Sequence, residues 1–191
     1  PGAYCKPSGV PFANSIVLPY KIVQTPKLVL VMYEENQVFR QIFLDARKPV
    51  EDPVPRWMGY STGRWDGDVL VVDTVGFPDR HWLDGMGHPS SAQLHLIERW
   101  RRRDAGHLEI ETTVDDPGAY TKPITFTVKV TAIADDDLLE YFCTENEKDR
   151  EHYQKTAEFV QRFSSAYPGH YHYRNGSRND QAAENDTQAT N

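Results

Sequence analysis

The sequence of 191 residues predicts an all-β protein, an antiparallel eight-stranded barrel with one C-terminal helix. The first observation is that 12 glycines and 13 prolines stand mostly between short apolar runs, which is typical of many short elements joined by turns. The second is strict alternation of apolar and polar residues in two runs, which indicates antiparallel strands buried on one face. The third is that turn-forming residues separate the runs. Strand, short turn and strand, repeated about eight times, favour a closed or strongly curved sheet.

The predicted elements begin with an arm, residues 1–20, which is rich in Pro, Gly and small residues and is expected to become ordered by docking. Eight strand-like runs follow, at Tyr20–Gln24, Lys27–Tyr33, Val38–Leu44, Tyr60–Asp73, Leu94–Arg103, His107–Val114, Ile124–Ile133 and Leu138–Cys143. The alternation is clearest in the sixth and seventh runs, where apolar residues oppose Glu, Thr and Lys. Turn chemistry marks the breaks at 35–37, 66–68, 104–106 and 135–137.

Only one segment has helical spacing. Between Asp149 and Phe163, apolar side chains recur at every third or fourth position, which predicts an amphipathic helix over one opening or flank of the barrel. After Ser165 the composition becomes polar, and such a segment buries too little apolar surface to order itself. The predicted organisation is therefore an N-terminal arm (1–20), a single β-barrel domain (21–165) and a polar flexible tail (166–191).

Charge and motif content exclude several classes of function. The formal net charge is −7, and nucleic-acid binding needs clustered cations, so no nucleic-acid partner is predicted. The longest apolar runs, such as Leu28–Tyr33, are far shorter than the ~18 residues of a membrane span, so none is predicted. No nucleophile elbow, phosphate loop, dinucleotide fingerprint or paired-cysteine metal motif occurs, which removes common serine hydrolases, nucleotide enzymes and most redox enzymes.

Cysteines and sequons favour a protein of the secretory pathway. The sequence begins at Pro1 without an initiator Met and contains two cysteines, Cys5 and Cys143, and two glycosylation sequons, at Asn175 and Asn185. An even cysteine count permits one disulfide, and sequons in a polar tail suit glycosylation. We therefore expect a secreted or extracellular protein whose signal peptide has been removed, with a Cys5–Cys143 disulfide.

The longest connection, residues 76–91, is expected to carry function because a loop of this length can fold across the mouth of a barrel. His81, Asp84 and His88 have a spacing at which two imidazoles and one carboxylate could bind one metal ion. No thiolate or further carboxylate recurs at ligand spacing, so the sequence predicts no metal site.

Two charged residues share the parity of the apolar faces of their strands. Arg40 aligns with Ile42 and its apolar neighbours, and Glu98 aligns with Leu96 and Trp100. A charge inside a small barrel is costly unless it is paired and hydrogen-bonded, so we expect these residues to contact one another or a ligand. The alternatives are a bulge that shifts the register and a core salt bridge without function. Asp45 and Arg47, just past the third run, are expected at the barrel rim.

Aromatic residues are concentrated between positions 33 and 100 of the chain. They include all four tryptophans and three further side chains: Tyr33, Trp57, Tyr60, Trp65, Phe77, Trp82 and Trp100. Bulky aromatics most often form plain core. They also line cavities for flat apolar ligands, which the polar edges of Tyr and Trp orient. The sequence leaves both interpretations open.

The stretch GYSTGRWDGDVLVVDTVGF, residues 59–77, resembles the GRW(E/D)GDxLVVDT signature of a family of secreted bacterial proteins with fungal relatives. Further segments match at 21–26, 40–45, 98–102 and 143–146, so the resemblance extends over about residues 5–150. Two positions depart from the pattern, since Asp66 replaces the usual Glu and Ala46 the usual Gly. The second departure affects the turn beside Arg47.

The fungal relatives are hetero-Diels–Alderases of tropolone–sesquiterpenoid biosynthesis, and the resemblance implies a calycin/lipocalin-like barrel with that activity. Such an enzyme removes water from a hydroxymethyl tropolone to give an ortho-quinone methide and adds this to a humulene-type sesquiterpene alkene. The implied partners are these two small apolar substrates, and no cofactor is required. Proximity, a general acid and donors to the developing oxyanion would supply the catalysis. The candidate acids are Glu98, Asp84 and His88, and the candidate anion donors are Arg40, Arg47 and Tyr60.

A hypothesis of another class fits the same residues. A secreted carrier that binds a small apolar aromatic ligand without catalysis would have the same barrel and the same aromatic side chains. A structural or interaction module that uses the polar tail is less favoured, because the aromatic residues lie outside the tail. The sequence is also compatible with a homodimer.

Overall fold

The computed structural model describes residues 6–48, 50–79 and 81–142. These residues form one eight-stranded sheet, curled into a half-barrel, in which the strands follow one another in chain order. The strands are β1 (Tyr20–Gln24), β2 (Leu28–Tyr33), β3 (Phe39–Phe43), β4 (Tyr60–Asp66), β5 (Val69–Val75), β6 (His95–Arg102), β7 (His107–Asp115) and β8 (Ile124–Thr131). Two short 3₁₀ turns lie at Phe12–Asn14 and Glu35–Gln37. The all-β class and the number of strands are thus as predicted.

Two of the predicted runs differ from the observed strands. The run Tyr60–Asp73 is two strands, because the chain reverses at Gly67, whose φ of 62° belongs to a tight turn. The strand predicted at Leu138–Cys143 is wrong for residues 138–142, which form no strand. The backbone of Leu139 instead bonds to side chains, donating to Glu34 at 2.9 Å and accepting from Gln37 at 3.0 Å.

The sheet is antiparallel except at one pair of strands. β3 and β4 run parallel and pair only at Ile42–Ser61 and Phe43–Thr62. The segment 44–59 between them is long enough to carry the chain back to the end of the sheet where β3 began, whereas short turns force the other strands to reverse. The prediction of a wholly antiparallel sheet is therefore wrong at this position.

The inner face of the sheet carries the core. Alternate residues of β7 are buried, among them Ile110, Thr112 and Val114, as the alternation predicts. The same alternation in β8 leaves its apolar side chains half-exposed, with Phe126 at 37%, since β8 is an edge strand. The arm contributes to the core through Val10 and Ala13, which are fully buried.

The two edge strands of the sheet are β1 and β8, and no pairing joins them within the described residues. Within those same residues, no helix combines the length and the apolar composition that crossing a membrane requires. The predicted helix at Asp149–Phe163 and the predicted tail at 166–191 lie outside the described residues.

Candidate ligand-binding site

A cavity of about 740 Å³ lies inside the half-barrel, between its two edge strands. It is bounded by β1 on one side and by the end of β8 and residues 132–138 on the other. Along the strands it lies toward the end that holds the turns at 66–68 and 104–106, since Asp68 and Gly106 both border it. The volume falls within the range of ~300–1,000 Å³ that is common for small-molecule sites.

Apolar side chains from most of the sheet form the wall of this cavity. Period-two alternation places them there, because pairing aligns inward-facing residues in rows, such as Leu70, Trp100, Ile110 and Val128. The inward-facing residues that line the cavity are Ile22, Val29, Trp65, Leu70, Trp100, Leu108, Val128 and Val130. A largely apolar wall of this kind binds apolar ligands by removing their surface from water.

A polar floor meets this apolar wall. Asn14, Tyr20 and Trp100 line the cavity, and two of them donate hydrogen bonds to the carboxylate of Glu98, which is completely buried. The Asn14 amide nitrogen lies 3.0 Å from Glu98 Oε1, and the Trp100 Nε1 lies 3.3 Å from the same oxygen. The hydroxyl of Tyr33 donates to Asn14 Oδ1 at 2.7 Å. Asn14 is therefore held by partners at both ends of its amide.

The centre of the buried network is the ion pair of Arg40 and Glu98. The Arg40 guanidinium donates to both oxygens of Glu98, and the Nη1–Oε1 distance is 3.2 Å. Its Nε reaches Ser61 Oγ at 3.0 Å, and its Nη2 also reaches Thr74 Oγ1 at 2.7 Å. Arg40 is only 1% exposed, so all of its charge is compensated by protein groups. The predicted inward orientation and pairing of Arg40 and Glu98 are thus observed.

Burial and the ion pair set the protonation states of the network. Burial alone would lower the pKa of Arg40, but Glu98 beside it holds that pKa above its ordinary value. Burial, followed by the charge of Glu98, raises the pKa of Tyr20 to about 12. Burial also raises the pKa of Tyr33, although Arg40 opposes the shift. Both phenols therefore keep their protons at physiological pH, and the hydroxyl of Tyr33 donates to Asn14.

Charged side chains of both signs surround the opening of the cavity. They are Lys21, Asp68, Arg102, Lys129, Asp136 and Asp137. The guanidinium of Arg102 is held in place by the backbone carbonyls of Asp104 and Ala105, at 3.0 and 3.1 Å. A rim of mixed charge around an apolar interior gives no strong preference for an ionic ligand.

The four residues predicted as catalytic do not line this cavity. Arg40 and Glu98 lie beneath its polar floor, and Arg40 borders instead a smaller groove of about 310 Å³. Asp84 and His88 form an exposed hydrogen-bonded pair, with Oδ2 and Nδ1 2.5 Å apart, on the connection between β5 and β6. That connection joins the ends of β5 and β6 that lie farther from the cavity, so residues 76–91 do not cover its opening.

Of the three possible metal ligands on this connection, His81 does not join the pair formed by Asp84 and His88. His81 is buried with its Nδ1 3.2 Å from Ser90 Oγ and its ring 5.1 Å from that of Phe77. Burial lowers the pKa of His81 to about 4, so the ring is neutral. Among the described residues, no three His, Cys, Asp or Glu side chains are grouped as metal ligands would be.

The seven aromatic residues predicted to bind substrate are distributed over several places. Trp65 and Trp100 line the cavity, and Tyr33 supports its floor through Asn14. Trp57 and Tyr60 line the 310 Å³ groove. Phe77 is core, and Trp82 is 41% exposed beside Pro89.

The predicted rim residues lie at the outer face. Arg47 is exposed, pairs with Asp45, and stacks its guanidinium 3.7 Å from the centre of the Phe43 ring. The bond to Arg47 holds the pKa of Asp45 well below its usual range. Ala46 between them has a φ of 55°, in the left-handed region that favours glycine.

Sequence reasoning missed four polar residues of the site: Asn14, Tyr20, Ser61 and Thr74. Tyr20, Ser61 and Thr74 share the inward parity of their strands, so a search for polar residues on inward positions would have found them. Asn14 lies in the arm, where no periodicity operates, and carries no comparable signal.

The predicted disulfide residues Cys5 and Cys143 and the predicted glycosylation sites Asn175 and Asn185 lie outside the described residues. Comparison with known proteins adds no relative to this picture: no family model, curated protein or solved structure matches the chain.

Proposed function

We propose that this protein binds a small, largely apolar molecule in the cavity of the half-barrel. The observation that carries the proposal is the cavity itself, about 740 Å³ of space with inward-facing apolar side chains on its wall and a buried polar floor. A plain structural core would be filled by side chains at close to crystal density. Calycin-like barrels, the finer fold class that the sequence predicts, bind small ligands in their interior. We propose the same role for the interior of this half-barrel.

The buried ion pair supports a binding role for this interior. Arg40, Glu98 and Asn14 form a closed network in which every partner is a protein group. Such a network fixes the position of the cavity floor before any ligand arrives, and preorganisation of this kind reduces the entropic cost of binding. The secretory location that the cysteines and sequons favour is part of the same proposal.

The test is binding of N-phenyl-1-naphthylamine, whose fluorescence rises in apolar surroundings. Leu108→Trp adds bulk on the cavity wall and should weaken binding about tenfold or more. Glu111→Trp is the matched control, because Glu111 lies on the same strand with its side chain on the outer, exposed face. Equal binding by both variants and the unmodified protein would refute the proposal, since it would place the dye outside the cavity.

A second candidate is the cycloaddition enzyme that the resemblance implies. The size of the cavity favours it, because the volume lies in the upper half of the usual range and leaves room for two apolar reactants. Holding two reactants together supplies several kcal/mol of the barrier without any cofactor. Incubation with a hydroxymethyl tropolone and a humulene alcohol distinguishes the two functions. An enzyme gives a faster reaction and one stereochemical product relative to buffer, and Leu108→Trp abolishes both effects.

A further inference from the structure

Two buried side-chain polar atoms among the described residues have no hydrogen-bond partner, and one of them is the hydroxyl oxygen of Tyr20. Buried hydroxyl groups in native proteins almost always have a partner, because leaving one unpaired is costly. The other atom, Nε2 of His81, faces the backbone of Gly9, so tightly that a Cβ there would lie 2.4 Å from it. Tyr20 differs because it lines the 740 Å³ cavity.

The polar groups next to Tyr20 are hydrogen-bonded to one another rather than to Tyr20. Its ring packs against that of Tyr33, with the ring centres 5.2 Å apart, but the Tyr33 hydroxyl is engaged with Asn14. The Asn14 amide nitrogen is engaged with Glu98. The Trp100 N–H at the same floor also donates to Glu98. Tyr20 is therefore a donor of this polar floor that makes no hydrogen bond within the described part of the chain, so a ligand can use it without breaking one.

We propose that the Tyr20 hydroxyl donates a hydrogen bond to a neutral acceptor oxygen of the ligand. The inference rests on the proposed function and names the ligand class: an apolar molecule that carries a ketone, aldehyde or comparable uncharged oxygen at its buried end. A carboxylate is disfavoured there, because burial and then the negative charge of Glu98 both act against an anion at this position, as they do in raising the pKa of Tyr20. That same shift keeps the hydroxyl protonated, so it remains a donor.

The test compares three probes of one shape by calorimetry: 2-acetylnaphthalene, which carries a ketone, 2-ethylnaphthalene, which is a hydrocarbon, and 2-naphthoate, which is a carboxylate. The unmodified protein should bind the ketone most tightly and the carboxylate most weakly. Tyr20→Phe should weaken binding of the ketone about 3–10-fold, the range of a single neutral hydrogen bond, and leave the hydrocarbon unchanged. Tyr60→Phe should change neither, because Tyr60 lines the separate 310 Å³ groove and not the cavity.

Stability separates a ligand-directed hydroxyl from a structural one. Tyr20→Phe should leave the melting temperature unchanged or higher, because it removes an unpaired polar group. Tyr33→Phe should lower it, since the Asn14 oxygen loses its donor. A fall in melting temperature for Tyr20→Phe, or equal loss of ketone and hydrocarbon binding, would overturn the inference. If the hydrocarbon binds and Tyr20→Phe leaves ketone affinity unchanged, only this inference fails. If no probe binds the unmodified protein, the proposed function fails with it.

Discussion

The replacement Glu98→Gln tests whether the buried ion pair is structural. It removes the charge that compensates Arg40 while preserving the size of the side chain. Arg40 is 1% exposed and would keep only uncharged partners, which are Ser61, Thr74 and the one oxygen that the glutamine retains. Breaking a buried pair by neutralising one partner costs about 3–5 kcal/mol. For a chain of this length, that corresponds to a fall of roughly 6–20 °C in melting temperature.

The assay is thermal and denaturant unfolding of Glu98→Gln beside a surface control. Asp66→Asn removes the carboxylate from an exposed pair with Arg99, whose atoms are 3.2 Å apart, and should cost about 0–1 kcal/mol. Adding Arg40→Met to Glu98→Gln removes the uncompensated cation and should recover part of the lost stability. A melting temperature of Glu98→Gln within about 2 °C of the unmodified protein would refute the structural role. Turnover that fell at unchanged stability would then support Glu98 as a proton donor.

Two further predictions concern the turn at Ala46 and the buried His81. Ala46→Gly should raise the free energy of unfolding by about 0.5–1 kcal/mol, because a φ of 55° is strained for alanine; an unchanged or lower value in urea unfolding would count against this. His81 has its pKa lowered from 6.5 to about 4, so the unfolded chain binds a proton that the folded protein excludes. Stability should therefore fall as pH decreases from about 6.5 to 4, by ~3 kcal/mol from this residue. His81→Gln should lack that component in unfolding curves across this window, and parallel pH profiles of the two proteins would contradict the assignment.

The sequence could predict the sheet and the inward charges because both depend on period-two alternation. Parity alone indicates that Arg40 and Glu98 face the interior, and the rows of paired residues confirm it. Pairing direction has no such signal, so the parallel pairing of β3 with β4 could not be read from the strands themselves. An acidic turn at 135–137 followed by two leucines is typical of the start of a strand. The backbone N–H and C=O of Leu139 are instead hydrogen-bonded to the side chains of Glu34 and Gln37, so they pair with no neighbouring strand.

The site was harder to predict because it joins distant segments. Parity predicts that Trp65 and Trp100 face inward, but not that Trp57 and Trp82 lie elsewhere, since both stand in irregular connections. Asn14 reaches Glu98 across 84 positions of the chain, and no local pattern reports a contact of that range. The cavity forms because the curled sheet brings its two edge strands to opposite sides of one space. That arrangement depends on the whole sheet and not on any single strand.

The most direct test of the interior binding site is an NMR titration of protein labelled with ¹⁵N at the indole nitrogens, with 2-acetylnaphthalene as the ligand. The four tryptophans report on different places, because Trp65 and Trp100 line the cavity while Trp57 and Trp82 do not. Binding in the cavity predicts saturable shifts of the Trp65 and Trp100 signals with the other two unchanged. Shifts confined to Trp57 or Trp82, or no saturable shift at all, would contradict the account.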